Sequence, residues 1–200
     1  MGMICSLQAV SDTNIQLILE SPPLIWRLIA PDDPEAYLEL MNGPERGLFA
    51  RLFGNRKRVK AKDIPKLKRS KGEDALCDID KAWHGIHYCL NGDDTGGEPP
   101  LDFLMEGGEF AGDVDVGYGP ARLFDSATVK ELNDIISKIT PEKLHENFDP
   151  EAMEELEIYP AIWARDGEEA FEYLSTYLTE LQSFIAACAK HHLGMAVYLG

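Results

Sequence analysis

The sequence predicts an α+β fold, a helix-rich single domain packed on a small sheet formed in part by the N- and C-terminal strands. Three observations predict it. Met3 to Val10 and Met195 to Leu199 are short apolar runs at opposite ends of the chain, each with strand character. The second half carries apolar residues at helical spacing over several turns. No strand-helix-strand alternation recurs, which argues against a doubly wound parallel sheet. With 200 residues the chain is long enough to bury one core without disulfides or metals, so a single domain over residues 1–200 is expected.

The elements follow in order. After the first strand, Ser11-Asp12-Thr13-Asn14 suits a helix N-terminus, and Ile15, Ile18 and Leu19 give its apolar face before Pro22-Pro23 ends it. Leu24 to Ile29 and Glu35 to Met41 read as short helices, stopped at Asn42-Gly43-Pro44. Leu48, Phe49, Leu52 and Phe53 suit one amphipathic turn, followed by an exposed, mobile basic loop. The basic insertion as a whole spans about residues 46–72. Asp78 to Asn91 reads as a helix capped by Asp78 or Asp80 and stopped at Asn91-Gly92. The glycine-rich stretch that follows reads as turns, with Leu101 to Met105 as one helical turn. Asp125 or Ser126 opens a helix through Val129, Leu132, Ile135, Ile136 and Ile139, with Thr128 and Glu131 matching a capping box. Thr140-Pro141 and Asp149-Pro150 open two short helices, and Ile158 to Trp163 is a connector or short strand. Gly167 to His192 is the longest helix, with Phe171, Leu174, Leu178, Leu181, Ile185 and Cys188 on one face.

Composition narrows the function classes. No apolar run approaches the roughly 20 residues of a membrane span. The four cysteines are widely spaced, which suits reduced thiols in a cytoplasmic protein. Met-Gly-Met-Ile-Cys-Ser matches a minimal N-myristoylation template, but a buried first strand is the favoured reading of the same residues. The net charge of -16 makes nucleic acid an unfavoured partner. That charge is uneven: eleven of the 19 basic residues lie between Arg46 and Lys71, giving this segment about +10 and the rest about -26. Attraction between the two parts is expected to hold the loop against the body, without any bound phosphate.

Chemistry concentrates at residues 78–90. On a helix, Trp83, Ile86, His87 and Leu90 share one face, while Lys81, His84 and Tyr88 share another. His84 and His87 are the candidate catalytic acid or base, since an imidazole titrates near neutral pH. The bland alternative packs Trp83, Ile86 and Leu90 into the core with His87 in a polar notch, and it is the stronger reading. His84 and His87 stand three apart, with Asp80 four before His84, so divalent metal binding is geometrically possible; but zinc sites need three or four ligands and neither HExxH nor a Cys/His ladder is present, so no metal or cofactor is expected. A second candidate is Gly117-Tyr118-Gly119-Pro120-Ala121-Arg122, a tight turn exposing Tyr118 with Arg122 before a helix start, which could meet an anion; a structural turn with Arg122 salt-bridged to an acidic side chain is the favoured reading. Lys81, Trp83, Tyr118 and Arg122 are thus the ligand-binding candidates. Glu106 and Glu109 are the acids worth inspecting. Cys89 stands at i+2 from His87 and cannot form a working pair with it on a helix.

Met1-Gly-Met-Ile4, Asp80-Lys-Ala-Trp-His-Gly-Ile-His-Tyr88, Gly117-Tyr-Gly-Pro-Ala-Arg122, Glu157-Ile-Tyr-Pro160 and the closing Gly-Met-Ala-Val-Tyr-Leu-Gly200 together resemble the YfbM-like bacterial proteins, a family of unknown function. The resemblance runs over nearly the whole chain and implies a bacterial, cytosolic origin. It brings no reaction or cofactor, and the basic insertion departs from shorter members. The leading expectation is a non-enzymatic binding or regulatory module with a protein partner. The alternative is an enzyme or binder of a small anionic, nucleotide-like ligand, which requires the histidine helix and the Tyr118–Arg122 turn to line one pocket.

Overall fold

The computed structural model describes residues 2–43 and 58–200. Its centre is a five-stranded antiparallel sheet in the order β2-β1-β5-β4-β3. Strand β1 (Cys5–Val10) and strand β5 (Gly194–Leu199) pair along their whole length, from Cys5 opposite Leu199 to Val10 opposite Gly194. The two chain ends thus meet at the middle of the sheet, as the terminal runs predict. The short strand β2 (Leu76–Asp78) flanks β1, and β4 (Pro120–Phe124) joins β5 to the outer strand β3 (Glu109–Asp115).

Alternation along β5 divides the interior. Met195 and Val197 face one apolar cluster, while Ala196 and Tyr198 face another. The second cluster lies under the N-terminal helices: α1 (Asp12–Glu20), a 3-10 turn (Pro22–Leu24), α2 (Ile25–Ile29) and α3 (Glu35–Asn42). The first cluster lies under α4 (Trp83–Asn91), α5 (Ser126–Ile136), α6 (Pro141–His145), α7 (Pro150–Glu155), α8 (Trp163–Asp166) and α9 (Glu168–Lys190). Every residue of the predicted α9 face is buried. Fit between α4, α8 and α9 is tight: a Cβ on Gly85 would come within 2.5 Å of the Trp163 ring.

Several boundaries differ from expectation for identifiable reasons. Helix α4 starts at Trp83, because Cys5 draws the preceding residues into the sheet. Its carbonyl accepts from Ile79 N, and its amide donates to Asp80 O. Asp78 therefore accepts from Asp80 N in a local turn, and α4 has no side-chain cap. The glycine-rich stretch contributes β3 and β4, which a register shift between Phe110 and Asp115 hides from a simple alternation search. Helix α5 is capped by Asp125, which accepts from Thr128 N at 2.8 Å, so Thr128 is not the cap. The capped proline starts at Thr140 and Asp149 form as predicted.

The basic loop divides. Leu48, Phe49, Leu52 and Phe53 lie outside the described residues. Residues 58–71 form an ordered strap over the N-terminal layer, with Ile64 buried and Val59 and Leu67 packed against the second cluster. Asn42 brackets Val59 with two hydrogen bonds, and Asn14 donates to Lys68 O at 3.0 Å. Among the described residues no helix is long and apolar enough to cross a membrane.

Candidate functional site

Helix α4 aims its imidazoles at the turn-rich segment 92–108. Gly92, left-handed at φ 72, ends the helix and turns the chain back along it. His84 Nε2 donates to Asp94 O at 2.8 Å, and its Nδ1 accepts from Tyr159 N at 3.0 Å. His87 Nε2 donates to Gly96 O at 3.1 Å, and its Nδ1 accepts from the Asn91 amide at 3.3 Å. These partners fix the tautomer: in both rings Nε2 carries the proton and Nδ1 accepts. Burial lowers the pKa of His84, and pushes that of His87 down to about 4, with the hydrogen bonds to Asp94 O and Gly96 O opposing. Both imidazoles are therefore held neutral, with no free nitrogen to take or give a proton.

The same segment is held from its far side. Asn91 donates to Leu101 O at 3.1 Å. The Arg122 guanidinium donates to Leu104 O at 2.7 Å and to the carbonyls of Glu106 and Gly107, and lies 5.6 Å from the Phe124 ring centre. His84, His87, Asn91 and Arg122 thus form one clamp on the backbone of a single loop. The histidine helix and Arg122 do come together, but through main-chain carbonyls rather than across a cavity. Tyr118 stands apart. It sits at the β3–β4 hairpin tip, roughly 13 Å along an extended chain from Arg122. Its side chain is exposed and its amide donates to Leu199 O.

Trp83 is buried, stacked on His84 with ring centres 4.9 Å apart, and donates to Met3 O at 3.3 Å. Lys81 precedes α4; its amide donates to Tyr173 OH at 3.1 Å, and its side chain runs beside Gly2. Both residues therefore fasten the N-terminal segment and its neighbours. All four cysteines are buried free thiols pushed up to about 12 by burial, which leaves them poor nucleophiles. Among the described residues no group of three His, Cys, Asp or Glu side chains is placed to hold a metal. Among the described residues, one cleft of about 780 Å³ lies beside α3 and another of about 340 Å³ between α4 and α5, and none of the six predicted site residues lines either.

Six cations of the strap remain chemically uncommitted among the described residues. Residues 58–71 carry seven basic side chains against one acid, Asp63, and all seven are exposed. Among the described residues, Lys60, Lys62, Lys66, Lys68, Arg69 and Lys71 make no ion pair. Attraction to the acidic body was the expected anchor; the observed anchors are apolar contacts and hydrogen bonds centred on Glu73. This fully buried carboxylate accepts from Ser11 N at 2.8 Å, Ser11 Oγ at 3.0 Å, Ser70 N at 2.6 Å and the Asn14 amide. It ties the strap's end to the N-terminus of α1, where helix amides also favour negative charge. Glu73 escaped sequence reasoning, as did the hydrogen bonds of Asn14 and Asn91, expected only at a helix start and stop, and of Asn147, which donates to Cys89 O at 2.8 Å. The one available signal was that Glu73 is the first glutamate after the basic run.

Comparison with known proteins places this geometry. A family model described as "Domain of unknown function (DUF1877)" matches residues 1–198. The crystal structure of YfbM from Escherichia coli, a protein of unknown function, superposes with a TM-score of 0.61 at 15% identity, covering 98% of this chain and 99% of that one. At that identity the likeness speaks for the fold alone. No curated protein matches.

Proposed function

The chain belongs to the DUF1877 family, whose description names no activity, and from that premise we propose that the protein is a non-enzymatic binding module that docks an acidic partner protein on the strap of residues 58–71. One observation carries the reading: among the described residues, Lys60, Lys62, Lys66, Lys68, Arg69 and Lys71 are exposed on an anchored strap and make no ion pair, in a protein of net charge -16. Ordering lysines on a fixed backbone, while leaving their charges unused, lowers the entropy cost of a charge-matched partner. The strap carries +6, which leaves -22 on the remainder. A long polyanion such as nucleic acid would run onto that acidic body and be repelled, whereas a short acidic segment of a folded partner need only span the strap. Leu40 and Met41 of α3, both more than 40% exposed, offer apolar contact as well. The catalytic alternative lacks such support, because His84, His87 and Arg122 spend donors on the carbonyls of one loop and both Nδ1 atoms are already accepting.

The test is capture and cross-linking from native bacterial lysate, comparing the protein with the triple variant Lys66→Glu, Lys68→Glu, Arg69→Glu. Each rim charge contributes about 0.2–1 kcal/mol, so losing three should weaken capture by about 0.6–3 kcal/mol, roughly threefold to 150-fold. The expected product is a cross-link from strap lysines to an acidic segment, lost at 0.5 M salt. Equal capture by the variant, or insensitivity to salt, refutes the proposal; capture of RNA in place of protein refutes its choice of partner.

A further inference from the structure

We propose a second, independent binding site in the cleft of about 340 Å³ between α4 and α5, built to take a small carboxylate on a short alkyl chain. The cleft combines apolar side chains with two cations. Leu90, Leu101, Ile135 and Ile139 line it, while Lys138 and Lys143 supply two cations. Neither lysine makes an ion pair among the described residues, despite 35 acidic side chains in the chain. Ile135 lies outside the buried stripe of α5, which runs through Val129, Leu132 and Ile136, and is 39% exposed over the cleft. An apolar side chain of that size at a concave surface is satisfied by a ligand's hydrocarbon.

The walls are pre-organised by three side-chain amides. Asn91 holds Leu101 through its carbonyl at 3.1 Å, and Asn147 donates to Cys89 O at 2.8 Å. Gln182 reaches from α9 to Ile136 O at 2.7 Å and Ile139 O at 2.8 Å. These bonds engage four backbone carbonyls beside the cleft, leaving hydrocarbon, the Asn147 amide and two ammonium groups as the recognition chemistry. Cys89, buried beside the cleft, stays a neutral thiol and does not repel an anion. Lysines are compact point charges and suit a terminal carboxylate, while the planar fork that favours a bidentate phosphate is missing from the lining.

Octanoate is the probe, with octanol and octyltrimethylammonium as same-tail controls, followed by methyl-resolved NMR of the full chain. The expected result is saturable shifts confined to Leu90, Leu101, Ile135 and Ile139 with octanoate, at least tenfold weaker with octanol and absent with the cation. Replacing Lys138→Gln and Lys143→Gln together should weaken octanoate about tenfold and leave octanol unchanged. Ile135→Trp, a change at a half-exposed position, should fill the cleft and abolish both. Equal binding of octanoate and octanol, shifts scattered over the surface, or indifference to the lysine pair overturns the site. Each of these outcomes is separate from the fate of the strap, which lies on the other face of the sheet.

Discussion

Acidification should loosen the clamp on residues 92–108 in a pH window that the histidines define. His87 is wholly buried, and burial sets its pKa at about 4 in the folded protein against 6.5 when unfolded. Between those values the unfolded chain binds the proton and the folded one does not, so stability falls as pH falls. His87's contribution is complete above 6.5 and is lost progressively down to about 4. The difference corresponds to about 3 kcal/mol, an upper bound because the loop can open locally to admit the proton. His84, also lowered by burial, adds in the same direction. Asp102, raised by burial, opposes them. Asp93 and Asp125, held low chiefly by backbone amides, begin to matter only below their ordinary range near 4. Urea unfolding at pH 7.5, 6, 5 and 4.5 should show the wild type losing about 2–3 kcal/mol more than His87→Gln, which removes the titrating group. Hydrogen exchange, corrected for intrinsic rates, should show amides of residues 94–104 opening first. Parallel stability curves for the two proteins would refute the argument.

Three further outcomes follow from the geometry. Glu73→Ala strands the buried amide of Asn14 and frees the backbone donors of Ser11 and Ser70, and should cost about 3 kcal/mol; trypsin should then cut after Lys66, Lys68 or Arg69 well below the unfolding temperature. Arg122→Met leaves the carbonyls of Leu104, Glu106 and Gly107 to water and should cost about 2 kcal/mol in denaturant unfolding, with exchange of residues 101–108 accelerated. Arg27 has Nε and Nη1 buried without a hydrogen-bond partner among the described residues, so Arg27→Met should leave Tm unchanged or raise it by a few degrees. A clear fall in Tm would show that the guanidinium is satisfied after all.

The sequence made the helices and the pairing of its termini legible because both depend on local pattern. Periodicity along α9 and the capped proline starts at Thr140 and Asp149 needed no tertiary information. The outer half of the sheet was hidden, since glycines and a register shift break the alternation of β3. Asp78 misled for a different reason: a plausible cap was drawn into the sheet by Cys5 from 73 residues away. At the site, spacing correctly grouped His87 with the core face of α4. It could not reveal that His84 and Arg122 meet through the carbonyls of one loop, because backbone acceptors carry no sequence signature. The strap shows the same limit, with its charge visible in the sequence and its anchors, Glu73 and Asn14, visible only in the fold.

Lysine acetylation footprinting of the strap tests the central claim most directly. The full chain would be labelled in native lysate at physiological salt, in lysate at 0.5 M salt, and as purified protein. Protection of Lys60, Lys62, Lys66, Lys68 and Lys71 in physiological lysate alone, with Lys130 and Lys190 labelled equally under all three conditions, is the predicted result. Equal labelling of the strap lysines in lysate and in isolation would contradict it.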